Sequence, residues 1–221
     1  MKLFHGSDHI IEAPFALDNR YNDYGPGFYC TEEETMAGEW ACKWNKDGVV
    51  NVYDFSDTGL KVLNLLDGQH TVLNWVALLL QFRFFKLDYP IALCARQYLI
   101  DHFLPDISDY DVVIGYRADD NCFQYAQSFV SNAMSLQCLN EMLQVGKLGK
   151  QIVVISQKGF ERISFQEAYR VDASVFYLRF VEREGRAKKC YYEKDWRDGI
   201  FIMDILREEM IGDDKRIQQA L

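Results

Sequence analysis

Phe4-His5-Gly6-Ser7 and, after a polar stretch, Tyr24-Gly25-Pro26-Gly27-Phe28-Tyr29-Cys30-Thr31 form the part of the chain that decides the fold. Lys2 to His5 reads as a short strand that delivers a His, followed at once by Gly6 and the hydroxyl of Ser7. The Gly25-Pro26-Gly27 turn leads into a second short strand, Phe28 to Cys30, which delivers Tyr29 and then Thr31. One half offers an imidazole and a glycine backbone that a flat amide can approach closely, because no Cβ intervenes. The other offers an aromatic face that suits a pyridinium ring. Together they make a slot for a nicotinamide nucleotide.

Working outward, Thr31 before Glu32, Glu33 and Glu34 reads as a helix start, with a hydroxyl cap and carboxylates at the positive end of the dipole. That helix is expected to run to about Lys46, with Met36, Trp40 and Trp44 on one buried face. Val49 to Phe55 alternates like a half-buried strand, and Leu60 to Leu65 is a further strand candidate. Helices are expected over Thr71 to Phe84 and Ile91 to Phe103, separated by Pro90. Tyr110 to Tyr116 reads as a central strand with Asp111 near its start. Asn121 to Gln144 reads as helix broken around Ser131 to Ala133, Gln151 to Ile155 as a β-branched strand, and Phe160 to Val171 as another. The texture changes after Asp172. Ala173 to Asp195 fits a charged helix, Gly199 to Met210 an amphipathic one with Ile200, Met203, Leu206 and Met210 apolar, and Asp213-Asp214 a cap for a last short helix.

The 221 residues suffice for one substantial core. With 49% hydrophobic and 26% charged residues the chain is globular rather than disordered. A net charge of −9 argues against broad, charge-driven binding to nucleic acid, although a local basic groove is compatible with it. The six cysteines contain no C-x-x-C pair, and His9, His70 and His102 have no partners at ligand spacing, so no metal site is expected. The N-terminal apolar run is too short for a signal peptide and Trp75 to Leu80 too short to cross a bilayer. A cytoplasmic protein with free thiols and no membrane partner is the expectation.

At Phe4-His5-Gly6-Ser7 and Gly25-Pro26-Gly27-Phe28-Tyr29-Cys30-Thr31 the sequence resembles the ADP-ribosyltransferase superfamily. The likeness is to the branch with a His, Tyr, Glu triad shared by diphtheria toxin and the poly(ADP-ribose) polymerases. Within it, the pattern looks most like a bacterial family of uncharacterised ADP-ribosyltransferase-like domains. Glu39-Trp40-Ala41, Tyr110 to Gly115 leading to Ala118-Asp119-Asp120, and Gln151-Ile152-Val153-Val154 also suit it. The resemblance implies an α+β fold, a split β-sheet cleft flanked by helices over residues 1–172, with a helical C-terminal extension over 173–221 packed on the same domain. It implies NAD as substrate, with His5 on the adenosine ribose, the Gly6 backbone on the nicotinamide amide and Tyr29 on the nicotinamide ring. Ser7, Gly27, Phe28 and Thr31 complete the implied cofactor-binding set. Arg20 joins it as a fork for the diphosphate, against the plainer reading of a solvated loop residue.

The family's third residue, a Glu that hydrogen-bonds the nicotinamide ribose, aligns with Gln151. Glutamine can donate or accept but carries no charge. Three readings are open. The chain is a mono-ADP-ribosyltransferase in which Gln151 orients the ribose; an acid from elsewhere (Asp111, Asp119, Asp120 or Glu167) enters the cleft; or the domain binds a nucleotide without turnover. The first is the expectation, with release of nicotinamide and transfer to an unidentified protein or nucleic-acid acceptor. The resemblance also suggests the toxin of a two-gene toxin–antitoxin or defence module, with an antitoxin protein as partner.

Overall fold

A computed structural model describes residues 1–16, 22–118, 120–145, 149–193 and 198–219. Among these, seven strands form two sheets and nine helices surround them, so the chain is a mixed α+β protein. One sheet is antiparallel throughout, with order β1 (Lys2–Ser7), β3 (Gly48–Phe55), β7 (Ile163–Val171). The other has the order β2 (Phe28–Cys30), β6 (Gln151–Val154), β5 (Val112–Gly115), β4 (Val62–Asn64), and only its β4–β5 pair is parallel.

Strand alternation sorts the apolar residues into layers. Leu3, Tyr53, Phe55 and Ile163 of the first sheet pack against Phe28, Cys30, Val112, Ile152 and Val154 of the second. Val113 and Val153 point the other way, into the largest core, with α2 (Val72–Phe82), α3 (Pro90–Phe103), α4 (Asp120–Val130) and α5 (Leu136–Val145). On the outer face of the first sheet Val50 and Val52 meet α1 (Glu34–Ala41) and the start of α7 (Ala173–Glu193).

Trp75 to Leu80 is buried on every side within α2, which Thr71 and Asn74 close with a reciprocal capping box. No helix among the described residues is long and apolar enough to cross a membrane. The β-branched stretch from Gln151 is the strand expected, flanked on both edges by partners. The strand expected from Phe160 starts instead at Ile163, because Ser156 caps a short helix, α6 (Gln157–Phe160).

Helix α1 departs from expectation at both ends. Thr31 is not its cap: Glu33 occupies that position without a side-chain cap bond, and Thr31 Oγ1 accepts from the Glu33 amide. The helix stops at Ala41 because Lys43 and Lys46 pair across a tight turn, with Asn45 in the left-handed region at φ 52°. Trp44 therefore leaves the helix face and is 71% exposed.

The C-terminal segment joins the main core. Ile202, Ile205, Met210 and Ile217 pack with the residues of α2 and α3. The expected apolar positions hold at Ile200, Leu206 and Met210, which pack on the core, but α8 (Ile202–Arg207) is shorter than expected, buries Ile202 and Ile205, and turns Met203 outward. The last helix, α9 (Lys215–Gln219), follows Asp214, whose carboxylate accepts from the Arg216 amide. Helix α7 is tied to α1 by a buried ion pair, Arg183 Nε to Glu39 at 2.9 Å.

Candidate functional site

The two N-terminal motifs meet where the sheets begin to part. Phe4 and Thr31 exchange both backbone hydrogen bonds, at 2.8 and 3.0 Å, and this is the single bridge between β1 and β2. Beyond it the strands diverge. The next contact is made by a side chain: His5 Nδ1 donates to the Tyr29 carbonyl at 2.7 Å. Strand alternation turns the backbone groups of Gly6 to the same edge as those of Phe4, and no bridge pairs them with β2.

That hydrogen bond sets the imidazole's role. With Nδ1 carrying the proton, Nε2 is left as an acceptor, and it has no partner among the described residues. The ring stacks on Phe28 at 4.5 Å between centroids. Burial holds the His5 pKa below its ordinary 6.5, against the opposing pull of the Tyr29 carbonyl. The neutral ring is the form that suits an acceptor.

Because the unfolded chain protonates His5 at a higher pH than the folded one, stability from this residue is full above pH 6.5. It falls as pH drops from 6.5 toward the lower folded value. Thermal melting between pH 8 and 5 is expected to show a decline below pH 6.5 that His5→Gln removes. An unchanged profile in that variant would take the buried neutral imidazole away.

Tyr29 points to the opposite face of β2 from His5. Its hydroxyl donates to the Gly25 carbonyl at 2.6 Å and accepts from the Tyr24 amide at 3.1 Å, so the Gly25 turn, at φ 74°, fixes the ring. Burial pushes the phenol well above its ordinary range, so the hydroxyl remains a donor. Asp23 secures the same turn by accepting from Arg83 Nη1 at 2.5 Å and from the Ala118 amide at 2.8 Å.

Gln151 opens β6. Tyr29 pairs with Val153, and side chains two apart share a face, so Gln151 lies on the same face as Tyr29. It is 6% exposed, and its Oε1 has no hydrogen-bond partner among the described residues. Its cross-strand neighbour is Gly115, where an added Cβ would come within 2.2 Å of the Tyr24 hydroxyl. Just before it, Gly149 and Lys150 help line a cavity of about 420 Å³ at the strand ends, with Glu32, Glu33, Leu66, Tyr116, Arg117 and α5 as the other walls.

The other residues expected at the site divide. Phe28 and Thr31 are 1% and 0% exposed, so neither presents a surface to a ligand; Phe28 braces the His5 ring from behind. Gly27 is needed by packing, since a Cβ there would lie 2.6 Å from Val153 Cγ1. Ser7 donates to the His9 carbonyl at 2.5 Å and receives Asn51 Nδ2 at 3.0 Å. Arg20 and Asp119 lie outside the described residues, and Asp120 opens α4, its side chain also outside them. Asp111 sits at the far end of β5 from Gly115, bonded to Ser156 at 2.6 Å and to the Lys61 amide at 2.8 Å. These bonds hold its carboxyl below the usual range and make it a strand-end clasp. Glu167 is exposed on β7, an edge of the other sheet, separated from β1 by β3. Neither acid reaches Gln151.

Sequence reasoning missed four residues here. Glu32 and Glu33, read only as charges at a helix start, are cavity walls, and Glu33 Cγ stands against Gly149. Arg117 stacks 4.4 Å above the half-buried Trp40 ring, whose Nε1 has no partner among the described residues. No local pattern announces either contact. Asn51, fully buried, ties the chain after β1 in place, donating to the His9 carbonyl at 3.2 Å while accepting from the Ile11 amide at 2.8 Å. Among the described residues no group of His, Cys, Asp and Glu could hold a metal ion.

The chain is a two-sheet α+β protein in which Tyr29 and Gln151 share one face of the second sheet, while His5 lies against the other face of β2 where the sheets part. A family model described as "Protein of unknown function (DUF3990)" matches residues 1–165, and the chain belongs to that family. The match ends within β7, before the C-terminal helices. No curated protein and no solved structure matches the chain.

Proposed function

We propose that this chain is an NAD-dependent mono-ADP-ribosyltransferase that releases nicotinamide and attaches ADP-ribose to a macromolecular acceptor. The observation that carries the reading is Gln151 Oε1, a buried acceptor with no partner among the described residues, on the face of Tyr29 and one residue beyond the cavity-lining Lys150. Leaving a buried acceptor unmade costs on the order of 1–3 kcal/mol, which a ligand hydroxyl would recover. The Gly6 backbone edge and His5 Nε2 supply further groups for the nicotinamide amide and a ribose hydroxyl.

In the reaction the bond from ribose C1′ to the pyridinium nitrogen breaks and its electron pair leaves with nicotinamide. An acceptor oxygen or nitrogen closes on C1′ and loses its proton to solvent. Gln151 would hold the ribose 2′-hydroxyl through Oε1, orienting C1′ without placing a charge beside the developing cation. An intracellular toxin neutralised by an antitoxin protein is the setting that the resemblance favours.

Calorimetry with NAD is expected to show binding that His5→Ala weakens tenfold or more, with the circular dichroism spectrum unchanged. Absence of NAD binding by the natural protein would falsify the reading. A second reading, a nucleotide-binding module without turnover, is favoured by the placement of Asp111 and Glu167 away from Gln151. NAD bound with no nicotinamide released, in the presence of cell lysate, would select it.

A further inference from the structure

Helix α7 carries a surface that no described residue covers. Leu178 and Val181 are 54% and 45% exposed and Tyr192 is 79% exposed, large apolar side chains held in water on one helix. Their spacing, with Gly185 and Lys188 between them, puts Leu178, Val181, Gly185, Lys188 and Tyr192 on a single seam of alternating three- and four-residue steps. Gly185 sits in the middle of this seam and meets nothing: a Cβ there would find no atom within 4 Å. Glycine in an exposed helix interior is unfavourable and here serves no packing among the described residues. A glycine at the centre of an apolar seam permits the closest approach of another helix.

The charges on α7 say which helix fits. Placing a second α7 antiparallel to the first, with the two Gly185 residues face to face, sets Leu178 of one chain against Tyr192 of the other. The same register sets Val181 against the aliphatic stem of Lys188 or Lys189, and the carboxylate of Glu182 against their ammonium groups. Both apolar and charged partners are then satisfied twice by the two-fold symmetry, as a self-complementary interface requires. Trp44, exposed and edge-on to Tyr177 at 5.7 Å, extends the apolar surface beside the N-terminal half of the helix. The buried Arg183–Glu39 pair anchors the opposite face of α7 to the core and leaves this seam outward.

We propose that the chain forms a symmetric dimer through antiparallel pairing of α7, centred on Gly185. The seam is short, so the dimer belongs to the micromolar range rather than to the obligate class. This inference is independent of the nucleotide chemistry proposed above.

Sedimentation equilibrium of the full chain from 1 to 200 µM tests it. A monomer–dimer equilibrium is expected, with Leu178→Asp weakening association at least tenfold while the melting profile of the dilute protein stays the same. Glu182→Lys should weaken association by placing lysine against lysine. Adding Lys188→Glu to that variant should restore association, because each chain then again offers opposite charges to its partner. A protein monomeric throughout the range overturns the proposal. So does a dimer indifferent to Leu178→Asp, or a double charge variant that associates no better than Glu182→Lys alone.

Discussion

Replacing Gln151 by Glu is expected to raise the rate of nicotinamide release from NAD on the order of a hundredfold. Cleavage of the glycosidic bond builds positive charge on the ribose, and a preorganised charge aimed at such a centre is typically worth a factor of a hundred to a thousand. Gln151 already occupies a buried position, one residue beyond the cavity-lining Lys150, so the substitution changes charge with almost no change in shape. Burial will raise the new carboxyl above the ordinary Glu value, so the gain should appear only as pH climbs past that raised value. The rate should therefore show an ascending limb absent from the natural protein. Gln151→Leu supplies the opposite control. It removes an orphaned buried oxygen and should melt at or above the natural temperature while losing nucleotide binding. If Gln151→Leu instead destabilises the fold, Oε1 has a structural partner and its role in the proposed chemistry disappears.

Gly6→Ala is expected to cost about 3 kcal/mol of stability, toward the upper end of overpacking penalties. An added Cβ would lie 2.0 Å from the Ala37 carbonyl oxygen and 2.7 Å from the Ala41 amide nitrogen. Both are backbone atoms of α1, so no rotamer change relieves the clash and the helix must move off β1. For a chain of this size the melting temperature should fall by roughly 6–12 °C. The same change at Gly185, where nothing lies within 4 Å, should raise the stability of the dilute monomer by about 0.5–1 kcal/mol. The contrast isolates packing from backbone entropy, because one methyl is added in each case. A Gly6→Ala protein that melts normally but no longer binds NAD would show that ligand approach, rather than helix approach, is what requires glycine there.

These residues show how much was readable in advance. The strand of His5 and the strand of Tyr29 were legible because short apolar runs bounded by glycine carry their own signal, and the β-branched run from Gln151 likewise. The close approach of α1 to Gly6 was not, since the contacting Ala37 and Ala41 lie more than thirty residues away and have no motif of their own. A three-to-four-residue period carries Trp44 onto a buried helix face, whereas the Lys43–Lys46 turn cuts that period short. Asp111 was a candidate acid because it stands near a strand; the strand's direction then placed it at the end away from Gln151.

The sequence by itself determined the element types, the α+β class and the residues that bear imidazole, phenol and carboxamide, because periodicity and turn chemistry act over a few residues. Only the tertiary structure decided which of these groups meet. The His5–Tyr29 bond spans 24 residues and the Arg183–Glu39 pair 144, and such pairings depend on strand order and sheet facing. It also decided that Gln151 Oε1 is buried with no partner among the described residues while Glu33 stands beside Gly149. Burial and hydrogen-bond satisfaction are properties of the packed whole, and no local stretch of chain encodes them alone.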